Sequence, residues 1–246
     1  AYPCRIIPNP RASLLPKDNV SCDEQRIAKK VARVMKLAKE KRAADLLFDA
    51  TTAFASYTDT PSTKFDAAGA EPLKYLDEIK DVVFANAHGL NPDTLILGRD
   101  VFRVLARNPE MRNVIGTFSA GLASASHILN DEAVIQILRD VLGIPNILVG
   151  SARRDTAVPG ATSSESYIWN GETIFMGILR GSDAIVQKSN NVKAMPVAAL
   201  NMEYGSMIAG QYDSNDRTRR YVYAEEVHSF KPVDASLGYV VTDCLT

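Results

Sequence analysis

Thr94, Leu95, Ile96 and Leu97 form a short run, apolar after its first residue, between the turn Asn91-Pro92-Asp93 and Gly98, and this run constrains the fold more than any other stretch. It is too short for a buried helix, and turn residues bound it, so it has the character of a strand covered on both faces. Gly98 breaks it. Asp100 then reads as the cap of a helix running through about Ala106, with Val101, Phe102 and Leu105 inward. Asn108-Pro109-Glu110 makes a further boundary, and Met111–Ile115 a short turn of helix. Asp131 reads as the cap of a helix to about Leu142, with Ile135, Leu138 and Val141 or Leu142 inward. Gly143 stops that helix, and Ile147-Leu148-Val149 forms a second buried strand ended by Gly150. This alternation indicates an α/β lobe.

Upstream, Pro3, Pro8, Pro10 and Pro16 make residues 1–22 extended, because each removes a backbone donor and biases its predecessor away from helix. Such a stretch buries little by itself. It is either an arm lying on another surface or a frayed terminus. Ser21 or Asp23 supplies the cap signal for a long helix from about Glu24 to Asp49. Ile27, Val31, Val34 and Ala38 mark its apolar stripe, extended by Met35, Leu46 and Leu47. Its opposite side is basic: Arg26, Lys29, Lys30 and Arg33 recur at helical spacing, and Lys36, Lys39, Lys41 and Arg42 continue the trend. A solvated face is the plain expectation for such a pattern; a face towards polyanion or a neighbouring subunit is the functional one. Thr51–Ala70 reads as a linker, and Pro72 opens a second helix to about His88, ended by Gly89. Leu73, Leu76, Ile79, Val83 and Ala87 give its buried face.

Downstream, Val158–Ser166 is a loop rich in small residues, and Tyr167–Leu179 has the pattern of a hairpin around Asn170-Gly171. Ala184–Val186 and Val197–Leu200 are further strand candidates. Arg219–Phe230 alternates aromatic and β-branched residues with polar ones, as a half-exposed strand does, and Leu237–Cys244 reads as a last strand.

The chain has 246 residues, 46% hydrophobic and 23% charged, enough for one large domain or two lobes sharing a core. No run approaches the roughly 20 apolar residues of a membrane-spanning helix, and the start shows no signal-peptide pattern. The net charge of −1 lacks the footprint of a sequence-reading nucleic-acid binder, though a container enclosing nucleic acid fits it. Cys4, Cys22 and Cys244 are too few and scattered for a disulfide framework, so reduced thiols in a cytoplasmic setting are expected.

No catalytic pattern emerges. His88, His127 and His228 lie far apart without metal-ligand spacing. Gly116–Gly121, around Ser119, is one residue too long for a nucleophile elbow and follows a helix instead of a strand. Leu97-Gly98 and Val149-Gly150 lack the further glycines of a dinucleotide site. Arg153-Arg154-Asp155 could bind an anion or a neighbour's carboxylate, with a local salt bridge as the commoner arrangement.

The segment from Gly89 to Ile115, with its Asn91-Pro92 turn, Thr94–Gly98 strand, Val101-Phe102 helix and Asn108-Pro109-Glu110-Met111 turn, resembles the axial-domain segment of tailed-bacteriophage major capsid proteins. Leu37–Asp49 is similar to the end of that family's long spine helix. Leu138–Ser151 resembles its next helix–strand pair, and Trp169–Thr173 the hairpin after it. The resemblance covers roughly Glu24 to Leu179 in consistent order. It implies an α+β Hong Kong 97-type capsid fold: an N-terminal arm remnant at 1–22, a peripheral domain with the spine helix at 23–65, an axial domain at 66–212, and returning peripheral and C-terminal strands at 213–246. The family carries a substantial arm and extended loop before its spine helix. With only residues 1–22 here and Ala1 first, a removed N-terminal segment is expected.

The implied role is structural: self-assembly through hexamers and pentamers into an icosahedral phage head, part of the virion and assembled in the host cytoplasm. Double-stranded DNA would be enclosed without sequence preference, and portal, scaffold or decoration proteins would be further partners. No catalysis, cofactor, metal or membrane is expected. Arg26, Lys29, Lys30 and Arg33 are candidates to face DNA, and Arg153 and Arg154 to contact a neighbouring subunit. The alternatives are an encapsulin-like compartment shell and, in another class, a small α/β enzyme built on residues such as His88, Arg153 and Asp155.

Overall fold

The computed structural model describes residues 22–118, 130–158, 161–179, 196–213 and 220–246. Among these the chain runs α1 (Cys22–Leu47), β1 (Thr58–Asp59), α2 (Pro72–Asn86), β2 (Thr94–Gly98), α3 (Arg99–Leu105), α4 (Pro109–Phe118), α5 (Asp131–Leu142), β3 (Asn146–Gly150), β4 (Arg153–Asp155), β5 (Glu165–Tyr167), β6 (Ile174–Gly177), β7 (Ala199–Asp213), β8 (Arg220–Pro232) and β9 (Gly238–Val241). Contacts divide it into two units. One comprises residues 1–39 and 203–229, the other residues 40–202 and 230–246.

The larger unit is built on a mixed five-stranded sheet of order β1-β9-β6-β2-β3. β2 lies parallel to β3 and antiparallel to β6, and β6 is antiparallel to β9. Every residue of β2 is buried, as its continuous apolar run requires. Leu95, Leu97, Ile174, Met176 and Val241 share one core with the inward residues of α2, α3 and α5. The alternate residue Phe175 meets Phe54 edge-to-face at 5.4 Å, so the stretch after α1 is packed by its buried phenylalanine.

Helix α2 starts with Pro72 in its first turn and buries Leu73, Leu76, Ile79 and Val83, with Ala87 buried just past its end, as their spacing dictates. Its first free amides are met from a distance. The Glu110 carboxylate accepts from Leu73 N at 2.8 Å and Lys74 N at 3.3 Å. Asn108 in turn accepts from Glu110 N at 2.8 Å, so Asn108-Pro109-Glu110 begins α4 and secures α2 together. Helix α4 runs on to Phe118, longer than the single turn expected. Ser119, His127, Ala184–Val186 and the 1–21 stretch lie outside the described residues.

Several expectations are corrected. Asn170-Gly171 does not turn a hairpin, because its two flanks pair elsewhere: β5 with β4, and β6 with β2. The turn instead covers the start of α3, where Thr173 O accepts from Gly98 N at 2.9 Å and Gly171 O from Val101 N at 3.0 Å. Asp100 is therefore not the cap of α3. Gly98 holds the cap position without a side chain, and a Cβ there would run into the Asn170 and Gly171 carbonyls. Asn130, without a side-chain cap bond, takes the place assigned to Asp131. Helix α5 buries Val134, Ile137, Leu138 and Leu142, Ile135 packs partly buried against the same core, Val141 is exposed, and Gly143 ends the helix at φ 67° as expected. β3 is an edge strand, so Leu148 is 55% exposed rather than buried. The last strand, Gly238–Val241, is shorter than expected at both ends: Leu237 belongs to a 3-10 turn, and Asp243 takes a left-handed φ of 50° beyond it.

The smaller unit holds the first part of α1 and the two-stranded ribbon β7–β8. Helix α1 begins at Cys22 and ends at Leu47, two residues earlier at each end than expected. Ile27, Val34 and Ala38 prove exposed. The half-covered side runs instead through Ala28, Val31, Ala32, Met35 and Lys39. The two alanines are weakly hydrophobic, so hydrophobic spacing alone does not register this side. Along β8 exposure alternates from Tyr221 to Phe230, the half-exposed pattern read from sequence.

Candidate assembly surfaces

The cationic side of α1 is where the sequence places it. Arg26, Lys29, Lys30, Arg33 and Lys36 are all exposed. Lys39 departs from the trend, turning to the ribbon and bridging Glu203 on β7 and, at 2.6 Å, Glu226 on β8. These hydrogen-bonded carboxylates raise the Lys39 pKa against the opposing pull of burial. One cation thus ties both strands to the helix.

The ribbon's other side carries aromatic side chains. Tyr212 stacks on Tyr221 with ring centroids 5.1 Å apart and lies 6.1 Å from Tyr223. Gly210 leaves room for the Tyr223 ring, since a Cβ there would come within 2.7 Å of it. Ile208, Tyr221, Tyr223 and Val227 are exposed, and Tyr204 is 85% exposed. Sequence reasoning recognised a half-exposed strand but not this face. The signal was available in Tyr212, Tyr221 and Tyr223, which alternate with residues of the covered side.

In the larger unit the Arg153 side chain lies over the Tyr167 ring at 4.5 Å and 3.6 Å from the Glu165 carboxylate, all on β4–β5. That is the local ion pair expected as the common case. Asp155 is engaged within its own turn, accepting from Ala157 N, Ser163 Oγ and Ser164 N, which hold its carboxyl below the usual range. Arg154 instead lines an open groove of about 600 Å³ with Lys41, Asp45, Phe48, Asp100 and Glu172. Burial, and secondarily the Arg154 charge, lower the Lys41 pKa. Beside this groove Trp169 donates to Glu40 at 2.8 Å and meets Phe48 edge-to-face, while a Cβ on Gly150 would collide with the indole.

His88 sits in the left-handed turn after α2 (φ 55°), and His228 lies half-covered on β8. Among the described residues no cluster of three or more His, Cys, Asp or Glu is arranged to hold a metal, and no helix is long and apolar enough to cross a membrane. Cys244 is a free, buried thiol whose burial pushes its pKa up to about 12.

No family model and no curated protein matches the chain. The crystal structure of a phage-related protein from Bordetella bronchiseptica RB50 superposes on it with a TM-score of 0.70 at 19% identity, covering 96% of this chain and 73% of the other. The two share a fold. The mixed helix-and-sheet, α+β architecture expected from sequence is thereby shown at that level. The holo encapsulin complex from Synechococcus elongatus PCC 7942 is more distant, with a TM-score of 0.40, 11% identity and coverage of 92% and 68%, a likeness too slight to build on.

Proposed function

We propose that this chain is a shell-building subunit, a major capsid protein of the Hong Kong 97 type that encloses double-stranded DNA in a phage head. The observation that carries the proposal is the fold held in common with a phage-related protein over nearly the whole chain. The residues support it from below. Exposed aromatic and cationic surfaces occupy the long helix and the ribbon, which is how a chain is arranged when its activity is distributed over interfaces. Helix α1 serves as the spine. Self-association is the activity, with no catalytic step, and Arg26, Lys29 and Arg33 on the cationic side of α1 offer non-specific attraction to phosphate.

Sedimentation and negative-stain microscopy of the native protein test this. Closed particles containing double-stranded DNA are expected. A stable monomer or dimer would overturn the shell reading, and particles filled with protein would replace the phage head by a compartment shell.

A further inference from the structure

Resting on that shell reading, we propose that the exposed Ile27–Lys30–Val34 strip of α1 docks on the outer tyrosine face of the β7–β8 ribbon of a second copy. The strip is a protein contact, not a DNA contact. The argument begins with what lies between the cations. Ile27 is 45% exposed and Val34 65% exposed. They stand seven residues apart on one line of the helix, and Ala38 extends that line in the open. At about 100° per residue, Lys30 lies about 60° from Ile27 and about 40° from Val34, so its ammonium borders the pair. Lys29 points nearly the other way. Phosphate needs cations but gains nothing from branched apolar side chains left in water. A neighbouring protein surface uses both.

The ribbon offers the matching chemistry. Four of the five exposed large aromatic residues among the described positions, Tyr204, Tyr212, Tyr221 and Tyr223, lie on it; the fifth is Phe84. Period-two geometry puts Tyr221, Tyr223, Glu225 and Val227 on one side of β8, with the Glu225 carboxylate between ring and valine. Phenol faces and a carboxylate attract an ammonium group, while Val227 and Ile208 suit Ile27 and Val34. The spacings agree as well. Ile27 to Val34 spans about 10.5 Å of helix, and Tyr223 to Val227 about 13 Å of strand. The larger unit already uses the same recognition, with Arg153 over Tyr167 and Arg99 over Phe102. A two-stranded ribbon is marginal in water by itself, so a cover on its outer side stabilises the element as well as the shell. The contact is head-to-tail, strip to ribbon, and therefore propagates from copy to copy; ribbon on ribbon would close a dimer and stop.

The test places a benzoylphenylalanine photocrosslinker at position 223 and assembles an equal mixture of isotope-labelled and unlabelled copies. After irradiation, adducts joining position 223 of one copy to residues 26–38 of another are expected by mass spectrometry. Intact particles whose adducts go to DNA or to other segments would overturn the docking and leave the shell reading standing. Failure of the unsubstituted chain to form particles would overturn both. As an independent arm, Lys30→Glu should lower particle yield about tenfold and Glu225→Lys in the same chain should restore most of it. Normal yield with lowered DNA content in Lys30→Glu would assign the strip to DNA instead.

Discussion

In the larger unit, Leu95 and Leu97 on β2 and Phe102 on α3 have no solvent exposure, and the helices on their side of the sheet supply partners for all three. On β7–β8, Tyr212, Tyr221 and Val227 have comparable apolar bulk and remain more than 40% exposed. One set spends its apolar area inside the chain and the other keeps it available. Burial within the chain is stability, whereas exposure that a second copy can cover is affinity. Substitutions in the two regions should therefore separate the two quantities.

The largest effect on the chain's own stability is expected from Phe102→Ala. Removing this ring leaves a cavity and should cost about 4 kcal/mol, read as a lowered denaturant midpoint; a loss near zero would break the contrast at its stronger end. Glu110→Ala comes next. It strips two amides at the start of α2 of a charged acceptor, and about 2 kcal/mol is expected, with Glu110→Gln recovering part of it. Tyr221→Ser should be smallest, within about 0.5 kcal/mol for dissociated subunits, while weakening assembly. A stability loss as large as that of Glu110→Ala would show that the ribbon's outer side is covered within its own chain.

The same contrast explains what could be read from sequence. β2 was legible because its apolar run and its bounding turn residues are adjacent in the chain. The α2 face, the proline in its first turn and the Gly143 stop were legible for the same reason. The exposed cations of α1 followed from helical spacing. Features settled by a distant partner were not legible. Asn170-Gly171 carries a strong hairpin signal, but β6 pairs with β2 on one edge and β9 on the other, which leaves no edge for β5. Glu110 reaches amides 37 residues away, and no local pattern announces that. The apolar stripe of α1 was misplaced because Ala28 and Ala32, weakly hydrophobic, lie on its half-covered side. Leu148 looked buried because an edge position depends on which strand comes last in the sheet, which the residues of β3 do not encode.

The closure of Gly98 beneath the Asn170–Thr173 turn also sets a schedule. β2 meets β6 in the register Leu97 to Ile174, so its second neighbour does not exist when β2 is made. A ribosome adding about 5–20 residues per second needs roughly 4–16 s to supply that neighbour. Until residue 150 is added β2 lacks both neighbours, from then until residue 174 one of its sides stays open, and over the whole interval the start of α3 waits without its carbonyls. The glycine that makes the finished turn compact is thus a place where the newborn chain stays unfinished until the Asn170–Thr173 turn has been added.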